Sequence, residues 1–221
     1  MKEHVAVIGL GRFGSAVATE LVHLGHEVLG IDADIATVQR LSTELSHVVQ
    51  AEATDEESLS RLGLSEFDAA VVGITGDLET SILATLSLKR LGVKRVVVKA
   101  RNDTHGEILK RVGADRVVYP ERDTGLRVAH SWSSIDITDS LDVIEGYSIS
   151  KVVAPAELVG HTVQEAILDS EFNVTLLLLA RGDRVTVYPS PSERLRAYDV
   201  LVMSGAIGDM ERFFSSVHTG R

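Results

Sequence analysis

Short runs of aliphatic, mostly β-branched residues recur along the first 120 positions, each followed by a stretch in which apolar residues return every three or four places. The runs VAVIG (5–9), EVLGID (27–32), HVVQAE (47–52), AAVVGIT (69–75), RVVVKA (95–100) and RVVYP (116–120) predict six strands. Between them the helical period covers Ser15–Leu24, Ala36–Leu45, Glu56–Leu62, Leu78–Leu91 and Thr104–Val112. Near-continuous Val and Ile, in place of strict alternation, indicates strands buried on both faces, as in a parallel sheet covered by helices. Five successive strand–helix–strand steps predict an α/β fold with a Rossmann-like, doubly wound parallel sheet.

After Pro120 the rhythm changes. TGLRVAHSWSSI (124–135) places Leu126, Val128, Ala129, Trp132 and Ile135 at helical spacing, and the polar, acidic segment DITDSLDVIEG follows from Asp136. From Tyr147 the pattern predicts a strand (147–153), a helix (162–168), a strand (173–180), the turn Arg181-Gly182-Asp183 and a strand (184–188). The proline-punctuated loop PSPSERL then leads to a strand (199–204) and a helix (207–214). This division gives a nucleotide-binding domain over 1–120, a helix and linker over 121–140, and a small α+β domain over 141–221.

Composition narrows the function. The 221 residues are 44% hydrophobic, enough to form one large core or two modest ones, and carry a net charge of −10. That balance excludes a broad nucleic-acid surface, which needs a basic field to neutralise phosphates. No cysteine is present, so disulfides, a cysteine nucleophile and thiolate metal sites are excluded. The longest apolar run, Val174–Ala180, is far short of the roughly 20 residues a membrane-spanning helix needs. MKEHVAVIG has no signal-peptide architecture. A cytoplasmic protein without direct membrane insertion is expected, acting on a membrane only through a partner.

The chemistry begins in VAVIGLGRFGSAV (5–17), where Gly9, Gly11 and Gly14 form G-x-G-x-x-G between a strand and a helix. Gly9 permits the tight turn, Gly11 lets backbone approach a pyrophosphate, and Gly14 lets the helix pack against the strand. The helix amino end then offers its unpaired N–H groups to the anion. Asp32, 21 positions after Gly11 at the end of the second strand, is placed to accept both ribose hydroxyls and to disfavour a 2′-phosphate. Asp34 suits the cap of the following helix. Arg12, inside the glycine run, fits a charge-assisted phosphate contact.

A reaction for the nucleotide is harder to find. Tyr147 and Lys151 form Y-x-x-x-K with Ser134 thirteen residues earlier, the order of a short-chain dehydrogenase. That chemistry needs Tyr and Lys one helical turn apart, whereas YSISKVV alternates like a strand. There is no G-x-x-x-x-G-K-[ST] and no metal-ligand spacing among the eight histidines, which suit surface and capping positions. A sensor is expected, not an enzyme; an NAD(H)-binding redox sensor or an NAD-linked oxidoreductase is the alternative.

VIGLGRFG (7–14), GID (30–32), ATDEESL (53–59), ILATLSLKRLG (82–92), VKAR (98–101) and LKRVGADRVVYPERDTGLRVA (109–129) together resemble the RCK domains (regulators of potassium conductance) of the KtrA/TrkA type. ELVGHTVQEAIL (157–168) and YDVLVMSG (198–205) resemble the companion RCK-C module, so the likeness spans the chain. It implies a homo-oligomer, an octameric ring built from dimers, beneath a potassium-translocating membrane subunit of the KtrB/TrkH type. ATP or ADP, or NAD(H) in some relatives, would set the ring's shape. Gly9, Gly11, Phe13 and Gly14 would then line the phosphates, with Asp32 on the ribose. Ala53, Thr54 and Asp55 would lie near the base, Asp77 and Lys99 at the cleft mouth. Arg12 would reach phosphates across the dimer interface, and Glu121 would be the interfacial carboxylate that meets a cation or an arginine. The Trp132 stripe would be a crossover helix exchanged between subunits. In some relatives the C-module binds cyclic di-AMP, in the region of Val163, Val174 and Pro189.

Overall fold

The computed structural model describes residues 2–133 and 137–219, apart from the side chains at 130–133, 137, 138, 142, 218 and 219. The chain divides into two compact units, Met1–Pro120 and Glu121–Arg221.

In the first unit six parallel strands, β1 (His4–Ile8), β2 (Glu27–Asp32), β3 (His47–Gln50), β4 (Ala69–Val72), β5 (Arg95–Lys99) and β6 (Arg116–Val118), lie in the order β3-β2-β1-β4-β5-β6. Helices α1 (Arg12–His23), α2 (Ile35–Leu41), α3 (Glu56–Arg61), α4 (Leu78–Arg90) and α5 (Asp103–Arg111) connect them. Both faces of the sheet are buried, and β1 shows how: Ala6 and Ile8 belong to one hydrophobic cluster, Val5 and Val7 to another. The continuous apolar runs follow from that, since a two-sided strand has no solvent face to make polar.

Four of the helices start at a side chain that accepts from the first turn: Asp34 for α2, Asp55 for α3, Asp77 for α4 and Asn102 for α5. Helix α1 starts three residues earlier than Ser15, at Arg12, because its cap is Gly11. Its first turn therefore carries no side-chain signal.

His105, on the first turn of α5, is not the surface group its type suggested but is 1% exposed. Its Nδ1 accepts from the Arg101 N–H at 3.2 Å, while Nε2 is buried without a partner. Burial, and then the charge of Arg101, hold its pKa below the ordinary histidine value. A base whose folded pKa is depressed takes up its proton more readily when unfolded, so it costs stability as pH falls below about 6.5. Urea unfolding should show the wild type weaker at pH 5.5 than at pH 7.5, and His105→Gln should flatten that step.

The second unit opens on helix α6 (Pro120–Ser133), with Pro120 at its first position and Glu121 and Asp123 in its first turn. Leu126 and Val128 on this helix are exposed; the Trp132 and Ile135 side chains fall outside the described residues. Five antiparallel strands follow in the order β10-β9-β11-β8-β7: β7 (Ile137–Ile144), β8 (Tyr147–Val153), β9 (Val174–Arg181), β10 (Arg184–Val187) and β11 (Val200–Ala206). Strand β7 lies in the segment whose pattern was polar and acidic. It is an edge strand with Leu141, Val143 and Ile144 exposed, so burial imposes no alternation there. Tyr147 and Lys151 both sit on β8, four residues apart on a strand, so the dehydrogenase geometry is absent.

One face of this sheet carries Val152, Leu176, Leu179, Leu201 and Met203 into a core shared with Ile167, Met210, Phe213 and Phe214. The last two rings stand edge to face at 5.2 Å on α7 (Ile207–Thr219), five residues longer than its pattern predicted. The helix expected at 162–168 is a π-helical turn, Gln164–Leu168.

The turn Arg181-Gly182-Asp183 anchors the loop through a charged knot. Arg181 Nε and Nη2 donate to the two oxygens of Asp199 at 2.8 and 2.7 Å, and Nη1 donates to Glu193 at 2.8 Å. Burial would raise the pKa of Asp199, but the bonds from Arg181 and the Arg196 N–H outweigh it and hold the carboxyl below its ordinary value. The Asp199 side chain is fully buried, so removing its partner strands a charge. Arg181→Ala should cost about 3 kcal/mol in urea unfolding, and Arg181→Lys less, because one bond of the fork survives.

Candidate functional site

Three glycines close the turn after β1. Gly9 has φ +84°, a backbone open to glycine at little cost, and a Cβ there would lie 2.5 Å from Ile74 Cγ1. A Cβ on Gly14 would fall 2.0 Å from the Gly9 carbonyl oxygen, and one on Gly73, at the end of β4, 2.7 Å from the same atom. The carbonyl is thus wedged between two glycines, which brings α1 directly against the strand ends. Gly73 was not singled out in the sequence. Its signal was a glycine closing a strand that is otherwise all aliphatic, AAVVG.

Gly11 differs from its neighbours: a Cβ on it would meet nothing within 4 Å. It caps α1 with no side-chain hydrogen bond, and the first turn holds no acid. The α1 amino end therefore keeps its N–H groups and its partial positive charge directed at open space. Arg12, the first residue of the helix, is exposed and pairs with no carboxylate among the described residues. Phe13 carries a second cation: Lys99, only 8% exposed, holds its Nζ 5.6 Å from the ring centroid.

Across the turn, Asp32 accepts from the Leu10 N–H at 2.6 Å and from the Asp34 N–H at 2.9 Å, one bond on each oxygen. A carboxylate has about four acceptor positions, so two remain for a pair of vicinal hydroxyls. Asp34 is spent on its own helix, accepting from the Ala36 and Thr37 N–H groups and the Thr37 hydroxyl, and these bonds lower its pKa.

Between these groups lies a cleft of about 310 Å³, lined by Ile8, Gly9, Ile31, Asp32, Ala53 and Ile74 with Ala33, Ala51, Glu52 and Thr80. It sits beyond the carboxyl ends of β1, β2 and β4, where the strand order reverses between β1 and β4. Ala53 lines it and is buried; Thr54 is exposed beside it. Asp55 caps α3 by accepting from the Ser58 N–H at 3.1 Å, and Asp77 caps α4 through the Glu79 N–H at 3.0 Å and the Thr80 hydroxyl at 2.6 Å. Hydrogen bonding lowers both pKa values, led by the hydroxyls of Ser58 and Thr80 respectively. Asp55, Asp77 and Lys99 are thus near the cleft in sequence but are not among its lining side chains. Glu52 and Thr80, which line it, were missed, because loop residues with no periodicity gave nothing to distinguish them.

Glu121 occupies the first turn of α6 beside Asp123. Among the described residues no group of three or more His, Asp or Glu is arranged to hold a metal ion. Val163 and Val174 are buried within the core of the second unit.

Two family models match the chain: the TrkA-N domain over residues 5–120 and the TrkA-C domain over residues 148–218. The Ktr system potassium uptake protein C of Bacillus subtilis (strain 168) is 39% identical over 220 residues, covering 99% of this chain and all of that one. The Ktr system potassium uptake protein A of the same organism is 35% identical over 208 residues, with 94% of each chain covered. Among solved structures, the GsuK channel bound to NAD is similar in fold, with a TM-score of 0.53 at 24% identity. The likeness covers all of this chain and 39% of that one.

The two glycines separate folding from binding. Gly14→Ala should cost about 3 kcal/mol, an overpacking penalty against backbone that cannot yield, read as a lowered urea midpoint. Gly11→Ala should keep the wild-type midpoint yet lose at least tenfold in affinity for a nucleoside diphosphate by calorimetry.

Proposed function

This chain belongs to the family of proteins built from a TrkA-N and a TrkA-C domain, and from that premise we propose that it is a nucleotide-sensing regulatory subunit of a potassium uptake system. It works at the cytoplasmic face through a membrane-embedded potassium-translocating subunit. It binds ATP and ADP and transforms neither. The observation that carries this reading is the amino end of α1, which has a glycine cap, no acid in its first turn and an unpaired arginine beside it. The α3, α4 and α5 ends have capping side chains and first-turn acids. Such an end favours the most highly charged terminal phosphate, and Asp32 keeps acceptor positions for the ribose.

Regulation follows from a difference in affinity. A ligand shifts an equilibrium between two assembled shapes only as far as it binds one better than the other. With Arg12 on a phosphate across a subunit boundary and Asp32 on the ribose, the γ-phosphate supplies that difference. Each charge-assisted hydrogen bond contributes about 1.5–3 kcal/mol, and allosteric coupling needs about 1–3 kcal/mol. The exposed Leu126 and Val128 of α6 support a helix that packs against a second subunit. In the same reading the assembly is an octameric ring of dimers, and Glu121 meets a cation or an arginine at the dimer boundary.

Calorimetry on Arg12→Ala should find the ATP-over-ADP preference reduced by about 2 kcal/mol, roughly 30-fold, with adenosine affinity unchanged. An undiminished preference removes Arg12 from the phosphate. Native mass spectrometry of the purified protein reports the number of subunits and the nucleotide retained; a monomer that keeps its shape with every nucleotide overturns the whole reading. Should NAD(H) be the retained nucleotide, sensing stands and the ligand changes.

A further inference from the structure

The second unit holds a cavity larger than the nucleotide cleft and opposite in character. It encloses about 510 Å³ between the 156–158 turn, the π-helical turn, the 170–172 loop and α7. Leu158, Phe172, Phe213 and Val217 form an apolar floor, the two rings edge to face at 6.1 Å, while Glu157, Glu165 and Glu171 stand on the wall. Glu165 is committed to its own turn, accepting from the Thr162 N–H at 2.8 Å while its N–H meets the Thr162 hydroxyl at 3.2 Å. The carboxylates of Glu157 and Glu171 are exposed and have no hydrogen bond or ion pair with any described residue. No lysine or arginine lines the cavity, and His161 is the one lining side chain able to carry a positive charge.

We propose that this groove docks a segment in which arginine or lysine alternates with aliphatic residues, supplied by the cytoplasmic surface of the membrane subunit; this rests on the regulatory reading above. The floor takes the aliphatic side chains, and the half-buried Phe172 ring and the carboxylates of Glu157 and Glu171 take the cations. The source follows from charge. Cytoplasmic loops of membrane proteins carry an excess of Lys and Arg, and this chain has a net charge of −10 and, among its described residues, no helix long and apolar enough to cross a membrane. An acidic groove is therefore where a membrane-embedded basic partner is steered.

The test uses the full-length protein and, as probe, an N-acetylated peptide amide of alternating leucine and arginine. Calorimetry at low and high salt compares the wild type with Glu157→Gln/Glu171→Gln, and with Glu66→Gln/Glu107→Gln, which removes the same charge from the first unit. The expected result is peptide binding that weakens at least tenfold in the first variant, is unchanged in the second, and falls with salt. A Phe172→Leu protein should also bind more weakly while unfolding at a similar urea concentration. Equal binding by both double variants overturns the proposal, as does spermine binding as tightly as the peptide and displacing it, which makes the occupant a small polyamine. Nucleotide affinity measured on the same samples is a separate readout. Its loss with peptide binding intact sinks the nucleotide reading alone, and the reverse sinks only the docking site.

Discussion

The carbonyl oxygen of Gly9 lies where neither Gly14 nor Gly73 could tolerate a side chain, and that close approach shapes the turn beside the cleft. Because α1 can press against it, the helix begins at Arg12, only three residues separating it from the strand. Leu10 N donates to Asp32 Oδ2 at 2.6 Å, so a carboxylate that lines the cleft is also a strut of the turn. A hydrogen bond from backbone to a carboxylate is stronger than a neutral one and holds both ends in place. The turn and the acidic residue are therefore one structural unit, although 22 positions separate them.

Helix capping divides the labour in the first unit. Where Asp34, Asp55, Asp77 and Asn102 stand, the orphan N–H groups are satisfied internally and the helix end is closed to anions. At α1 the cap is glycine, and no side chain satisfies the first N–H groups. In the proposed reading, a ligand phosphate would complete a helix end that the chain leaves without a capping side chain, coupling occupancy to local order. Lys99, 8% exposed with its Nζ 5.6 Å from the Phe13 ring centroid, keeps a second positive charge close to that end.

The second unit follows different rules. Its sheet has one buried face, under α7 and the π-helical turn, and the loop before β11 is held both by Leu195 in the core and by ion pairs to Arg181. Arg181 ties the β9–β10 hairpin to Glu193 and Asp199, so the second half of the proline-punctuated connection to β11 is held in place. Acidic groups are spent inward at that knot, whereas at the cavity beside α7 Glu157 and Glu171 have no partner among the described residues. The two units thus present opposite fields to a ligand: a positive helix end in one, a negative groove in the other.

The repeating aliphatic runs determined the parallel sheet, because a strand buried on both faces has to be apolar throughout. GxGxxG determined the tight turn between β1 and α1, since only glycine fits where backbone meets backbone. The near-alternation of YSISKVV also removed the dehydrogenase dyad before any geometry was available. What the chain's pattern did not contain was set by tertiary neighbours. Gly73 matters only because β4 folds next to β1. His105 is buried because α5 packs with its first turn inward. Strand β7 forms by pairing with β8 despite its acidic composition. Glu52 and Thr80 became cleft walls. Period and propensity act over neighbours along the chain, whereas the direction a loop side chain takes depends on contacts the sequence brings together only after folding.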